Sequence, residues 1–174
     1  MLFFFQKGSW NAGRAQAIDA HLAKGGGLVY IHWAIEGGAA APEFAKRIGL
    51  ASNAATTEYR HGPLALGFQT GRDHPIGRNF HRVHFHDESY WRLQGDPSQI
   101  RILATGAELG EPRPLFWTLE PGRGRIFVSV LGHYSWTFDD PLFRILLLRG
   151  IAWSARESVD RLNDLTTIGV TLAN

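Results

Sequence analysis

Cysteine is missing from this sequence altogether. That absence removes disulfide staples, thiolate metal ligands and a cysteine nucleophile together, and it leaves the compartment open. Charge of one sign is also lacking, because 18 Lys and Arg stand against 16 Asp and Glu for a formal net charge of +2. The sequence pI is about 9.2, yet no basic run follows a phosphate backbone, so nucleic acid is not an expected partner. Long apolar runs are absent too. The opening Met1-Leu-Phe-Phe-Phe-Gln-Lys7 is far too short to span a bilayer and has neither the basic start nor the length of an export signal. No membrane partner is expected, and cytoplasmic residence is the default reading for a chain with no signal peptide of its own.

What is present suffices for one core. In 174 residues, 44% are hydrophobic and 12% aromatic, enough for a single folded domain. The opening reads as a strand, the stretch 8–11 as a turn, and 12–24 as a helix with Asn11 as its cap, an apolar stripe of Ala15, Ile18 and Leu22, and Gly25 as its stop. A continuous apolar run at 28–32 then reads as a strand buried on both faces. Strand, helix, strand is the unit of a parallel α/β layer. A short helix is expected near 43–48, strands at 56–60 and 64–68, and a turn at 71–77. Another strand, 82–86, would end at Asp87, and a short one spans 100–104. Residues 115–119 and 126–131 form a hairpin through Pro121-Gly-Arg-Gly124. Asp140-Pro141 opens a last helix, 142–155, apolar almost all round. The expected class is therefore α/β, with a mostly parallel sheet, helices on both faces and an antiparallel hairpin portion.

The candidate chemistry gathers where strands end. His32 follows the strand 28–32, and His133 follows 126–131 with Gly132 before it. At the carboxyl edge of an α/β sheet such residues meet ligands. Asp87 and Glu88 are adjacent, so only one of them can face the same pocket. A carboxylate beside two imidazoles could orient a ring or act as general acid or base. His84 and His86 share a strand face, a spacing that could chelate a divalent metal, and His32 with His133 could complete a set with Asp87 or Glu88; no cofactor is otherwise expected. Arg60 and His61 precede Pro63 in a loop able to reach the pocket, and Tyr134 and Trp136 could stack on a sugar ring. The glycine clusters at 25–27 and 122–124 lack both dinucleotide spacing and a Walker lysine.

Taken in order, Gly27-Leu-Val-Tyr-Ile-His32, Asp73-His-Pro-Ile76, Asp87-Glu-Ser-Tyr90, Phe116-Trp-Thr118, Gly122-Arg-Gly-Arg-Ile-Phe127, Leu131-Gly-His133 and the helix from Pro141 to Trp153 resemble a ThuA-like (trehalose utilisation) domain over 1–156, with 157–174 as a polar extension. The resemblance implies a flavodoxin-like sheet related to class I glutamine amidotransferases and a link to sugar catabolism. It favours Glu88 and Tyr90 as recurring residues. The amidotransferase relatives carry a cysteine at the strand-to-helix elbow, whereas this elbow reads Ile31-His32-Trp33, which cannot form a thioester. Family members usually begin with further strands and helices before the position of Met1, so a domain lacking its first strands is expected. Its exposed sheet edge would then invite pairing into a homo-oligomer.

The functional expectation is acid–base chemistry on a carbohydrate of the trehalose or keto-sugar type. Its catalytic candidates are His32, His133 and Glu88 or Asp87, and its binding candidates are Trp33, Arg60, His61, Tyr90, Tyr134 and Trp136. The rivals are a non-catalytic sugar-binding or interaction module and a metal-dependent hydrolase.

Overall fold

The computed structural model describes residues 1–5, 10–68 and 74–169; the turns expected at 8–11 and 71–77 lie in part outside them. Strand β1 (Leu2–Phe3) is followed by helix α1 (Ala12–Ala23), whose cap Asn11 accepts from the Arg14 N–H at 2.9 Å. Its buried stripe is Ala15, Ile18 and Leu22, as the spacing predicts. Gly25 takes a φ of 85° and turns the chain into β2 (Gly27–Ile31), which runs parallel to β1. Helix α2 (Ala41–Ile48) stops at Gly49, where φ is 90°. The chain continues through β3 (Leu50–Ala51), β4 (Glu58–Phe68), β5 (Arg82–Trp91), β6 (Gln94–Gly95), β7 (Arg101–Glu108), β8 (Glu111–Leu119) and β9 (Arg125–Ser129). Helices α3 (Ser135–Asp139) and α4 (Pro141–Ser154) close the fold, α4 being capped by Asp140.

The sheet is mostly antiparallel, which corrects the parallel expectation. Its order is β1-β2-β9-β8-β7-β4-β5, and only β1 with β2 and β2 with β9 are parallel. The other four pairings are antiparallel. The reason lies between β4 and β9, where no α-helix occurs among the described residues. A parallel neighbour needs a long crossover, usually a helix, so strands joined by turns must fold back on one another. Two separate strands at 56–60 and 64–68 are in fact one strand, β4, running through Gly62-Pro63. The strand expected at 82–86 runs on to Trp91, so Asp87 and Glu88 stand inside β5 and not at its end.

Helices do cover both faces. Tyr30 and Trp117 both pair with Val128, so they share a face, and there Phe44 of α2 sits 5.4 Å from Tyr30 between ring centres, while the Trp117 indole N–H donates to the Ile48 carbonyl at 2.8 Å. Arg47 pairs with Asp19 at 2.9 Å and holds α1 beside α2. On the other face, a Cβ at Gly150 would stand only 2.2 Å from the Phe127 ring, so α4 must present a bare backbone to β9. Phe116, Phe127 and Phe143 are fully buried there, each worth roughly 1.5–3 kcal/mol of apolar burial.

The two charges that interrupt α4 have partners. Arg149 donates to the Arg78 carbonyl at 2.9 Å and pairs with Asp160 at 3.4 Å, and Arg144 donates to the Ile168 carbonyl at 2.6 Å. The polar segment after α4 is thereby tied back onto the helix. Among the described residues no helix is long and apolar enough to cross a membrane.

The sheet also curls. Four strands separate β2 from β5, so in a flat sheet five steps of about 4.8 Å would hold them roughly 24 Å apart. Instead Tyr90 of β5 touches His32, the residue just after β2, with its hydroxyl 3.0 Å from Nε2. That closure builds the site.

Candidate functional site

His32 stands where β2 breaks into a single 3₁₀ turn, with a φ of 54°. A left-handed conformation is costly for a residue bearing a Cβ, and such strain tends to persist where neighbours fix it. Here they do. The ring is 7% exposed, and its Nδ1 lies 2.9 Å from the Val130 carbonyl. A carbonyl only accepts, so Nδ1 carries the hydrogen of that bond and Nε2 is turned toward the cleft.

His133 arrives from the loop after β9. Gly132 takes a φ of 130°, and a Cβ on it would come within 2.8 Å of Ile31, so only glycine lets the loop press against the end of β2. Asp87 fixes that loop. Fully buried, it accepts from the Gly132 N–H and the His133 N–H at 3.0 Å each and from the Glu88 N–H at 2.7 Å. Of the two adjacent acids, then, Asp87 holds backbone, and Glu88 faces the cleft.

The register of β4 and β5 supplies the rest. Tyr59 pairs with Tyr90 and His61 with Glu88, so all four share one face. Glu88 Oε2 lies 3.2 Å from His32 Nε2 and 2.9 Å from His133 Nδ1, and it accepts from the Tyr90 hydroxyl at 3.0 Å. The two imidazoles meet directly, His32 Nε2 to His133 Nδ1, at 3.1 Å. His61 Nε2 is 3.5 Å from the other Glu88 oxygen, and its Nδ1 is 2.9 Å from the Tyr134 hydroxyl.

Burial works to raise the Glu88 pKa, but the hydrogen bond and charge of His32, the Tyr90 hydroxyl and the charge of His133 outweigh it, and the carboxyl is held below its ordinary value. Burial first, and then the Glu88 charge, push the Tyr90 phenol far above its ordinary value, so it stays a donor.

These groups form the floor of a cleft of about 890 Å³. Phe4, Phe5, Trp33 and Tyr59 line its walls with His61, and Glu36 is also present. Apolar and aromatic walls around a few convergent polar groups are the usual make-up of a small-molecule site. The Glu36 carboxylate is occupied by the Gly38 and Ala54 N–H groups and the Ser52 hydroxyl.

Among the residues singled out from sequence, His32, Glu88, His133, Tyr90, His61 and Trp33 meet at this cleft. Tyr134 touches it through His61, and Trp136 stacks on Tyr134 at 4.0 Å between ring centres with half its surface exposed. Arg60 points to the opposite face of β4, where it forms a fork on the buried Glu108 at 2.9 and 3.0 Å. His84 and His86 lie exposed along β5 on the same side as Glu88 but outside the cluster of His32, Glu88 and His133, with His86 6.3 Å between ring centres from Tyr134 and Trp136. Sequence reasoning missed Tyr59, although the two-residue period linking it to His61 would have found it, and it missed Phe4 and Phe5.

The profile of the ThuA (trehalose utilisation) family matches residues 1–154. A ThuA-like protein of Parabacteroides merdae superposes with a TM-score of 0.71 at 25% identity, over 88% of this chain and 69% of that one. A ThuA-like protein of Bacteroides uniformis gives 0.63 at 15% identity, over 86% and 68%. The β-galactosidase of Rahnella sp. R3 shares the fold over 85% of this chain and 21% of its own, with a TM-score of 0.54 at 14% identity. No curated protein matches the chain.

Proposed function

Because this chain belongs to the ThuA (trehalose utilisation) family, we propose that it acts on a carbohydrate of the trehalose or keto-sugar type, bound in the cleft above Glu88 and processed there by proton transfer. One observation carries the reading: three segments far apart in sequence bring His32, Glu88 and His133 within 3.2 Å of one another on the floor of a cleft wide enough for sugar rings. The aromatic faces of Trp33 and Tyr59 suit the C–H faces of a sugar, and the polar floor suits its hydroxyls.

Within the cluster the roles divide by exposure. His32 is buried and anchored, so it holds the carboxylate in place. His133 and His61 are exposed, within reach of a sugar in the cleft, and an imidazole there can give or take its proton. On a keto-sugar the proton beside the carbonyl passes to an imidazole nitrogen, leaving the electron pair on the enolate, and the imidazolium returns that proton to the neighbouring carbon, so that the sugar leaves as an isomer. Glu88 steadies the positive charge that the imidazole gains.

The test is calorimetry with a panel of disaccharides and their keto derivatives, followed by product analysis for the parent, His133→Ala and His32→Ala. Turnover that falls roughly a hundredfold or more in both variants is the expected result. If both match the parent while folded, the assignment is wrong, and binding without turnover by the parent would favour a non-catalytic module.

A further inference from the structure

The geometry points to a divalent transition-metal site made by His32 Nε2, Glu88 Oε2 and His133 Nδ1. The inference rests on the reading of this cleft as the working site and gives it a bound cation.

The three atoms form an almost equilateral triangle with edges of 3.1, 3.2 and 2.9 Å. A cation with bonds of about 2.1 Å to each would stand about 1 Å off that plane, with ligand angles close to 90°. That is the facial arrangement of two histidines and one carboxylate, which suits zinc, iron or manganese and leaves further positions open. Tyr90 is fully buried, and its hydroxyl sits 3.0 Å from both Glu88 Oε2 and His32 Nε2, closing one side of the triangle. The opposite side is the cleft, where a sugar oxygen could take an open position.

The outer contacts fit the same conclusion. The bond between His32 Nδ1 and the Val130 carbonyl fixes the tautomer that presents the Nε2 lone pair to the cluster, the usual support of a metal-bound histidine. With Nε2 unprotonated, lone pairs from nitrogen and carboxylate face each other across 3.2 Å, and only a positive charge between them makes that arrangement favourable. A proton could supply it, and so could a metal ion. Two histidines and a carboxylate converging on one point, with an open side toward the cleft, serve a metal better than a single shared proton does. His61 then stands beside the cation as the remaining exposed imidazole, free to take a proton from a sugar held on the metal.

The experiment uses the whole chain stripped with a chelator and titrated with zinc chloride by calorimetry, with metal content measured after dialysis. One zinc per chain is expected. Glu88→Gln and His133→Ala should each weaken binding at least a hundredfold while keeping the far-ultraviolet circular dichroism of the parent, and His84→Ala, exposed on β5 outside the cluster, should leave it unchanged. If a variant fails to fold, His133→Gln replaces it. The proposal is overturned by parent binding no tighter than that of the variants, or by loss of binding with His84→Ala alone. Sugar calorimetry on the same stripped and zinc-loaded samples separates the two readings: sugar bound without any zinc site overturns the metal site only, whereas zinc bound at one per chain with no sugar affinity sustains the metal site and sinks the carbohydrate assignment.

Discussion

The Tyr90 hydroxyl reaches both His32 Nε2 and Glu88 Oε2 at 3.0 Å, so one buried phenol joins the far edge of the sheet to its parallel end. Removing that hydroxyl leaves the ring packed but withdraws a donor from a buried carboxylate. We expect Tyr90→Phe to lower stability by about 1–3 kcal/mol and to raise the Glu88 pKa toward its ordinary value. Urea unfolding followed by circular dichroism checks the first effect, and the carboxyl shift in a pH titration by nuclear magnetic resonance checks the second.

Asp87 answers to a different test. Its carboxylate satisfies three backbone N–H groups, two of which belong to the loop that carries His133. In Asp87→Ala those donors are buried and unpaired, at about 1–3 kcal/mol each, so a loss of roughly 3–5 kcal/mol is expected. Asp87→Asn keeps an acceptor on one side and should cost less. Both variants should disturb His133, visible as a changed imidazole resonance, before any effect on the distant α1 appears.

Much of this was legible in the sequence, and what was not has a physical cause. Capping residues and apolar spacing marked α1 and α4, because Asn11, Gly25 and Asp140-Pro141 act through local geometry. The adjacency of Asp87 and Glu88 implied that one would face away, and it does. The sheet direction was misread because strand periodicity is the same in parallel and antiparallel pairs, and the stretch between β4 and β9 gives no helix to force a crossover. The meeting of Glu88 with His32 was legible only as chemistry. Its geometry depends on sheet curl, which accumulates over five strand steps and leaves no mark on any single residue.

His74 supplies a pH prediction. Its Nδ1 accepts from the Ile76 N–H at 3.3 Å, and its ring packs on Trp153 of α4, 5.1 Å between ring centres. Burial first, and then the charges of Arg101 and Arg125, push its pKa from 6.5 down to about 4. The folded state therefore prefers the neutral ring. Its contribution is complete above pH 6.5 and is lost as pH falls toward 4, because the unfolded chain binds the proton first. Between pH 7 and pH 5 the loss should be roughly 2 kcal/mol. His74→Asn keeps an acceptor for the Ile76 N–H and removes the titration. Urea midpoints at both pH values should show a lower but flatter stability for the variant, and equal slopes for variant and parent would contradict the assignment.

The last expectation concerns orientation without burial. Tyr134 holds His61 by a bond of 2.9 Å to Nδ1, which leaves Nε2 directed at Glu88 from 3.5 Å. Because both rings reach solvent, Tyr134→Phe should change stability by less than about 0.5 kcal/mol. An imidazole that loses its outer partner loses both tautomer and aim, and comparable losses elsewhere reduce activity about 10–100-fold. If His61 takes the proton from the bound sugar, Tyr134→Phe should lower kcat in that range with KM little altered, since the walls that bind the sugar are untouched. A fall in KM and kcat together, or no change in either, would place His61 outside the chemistry.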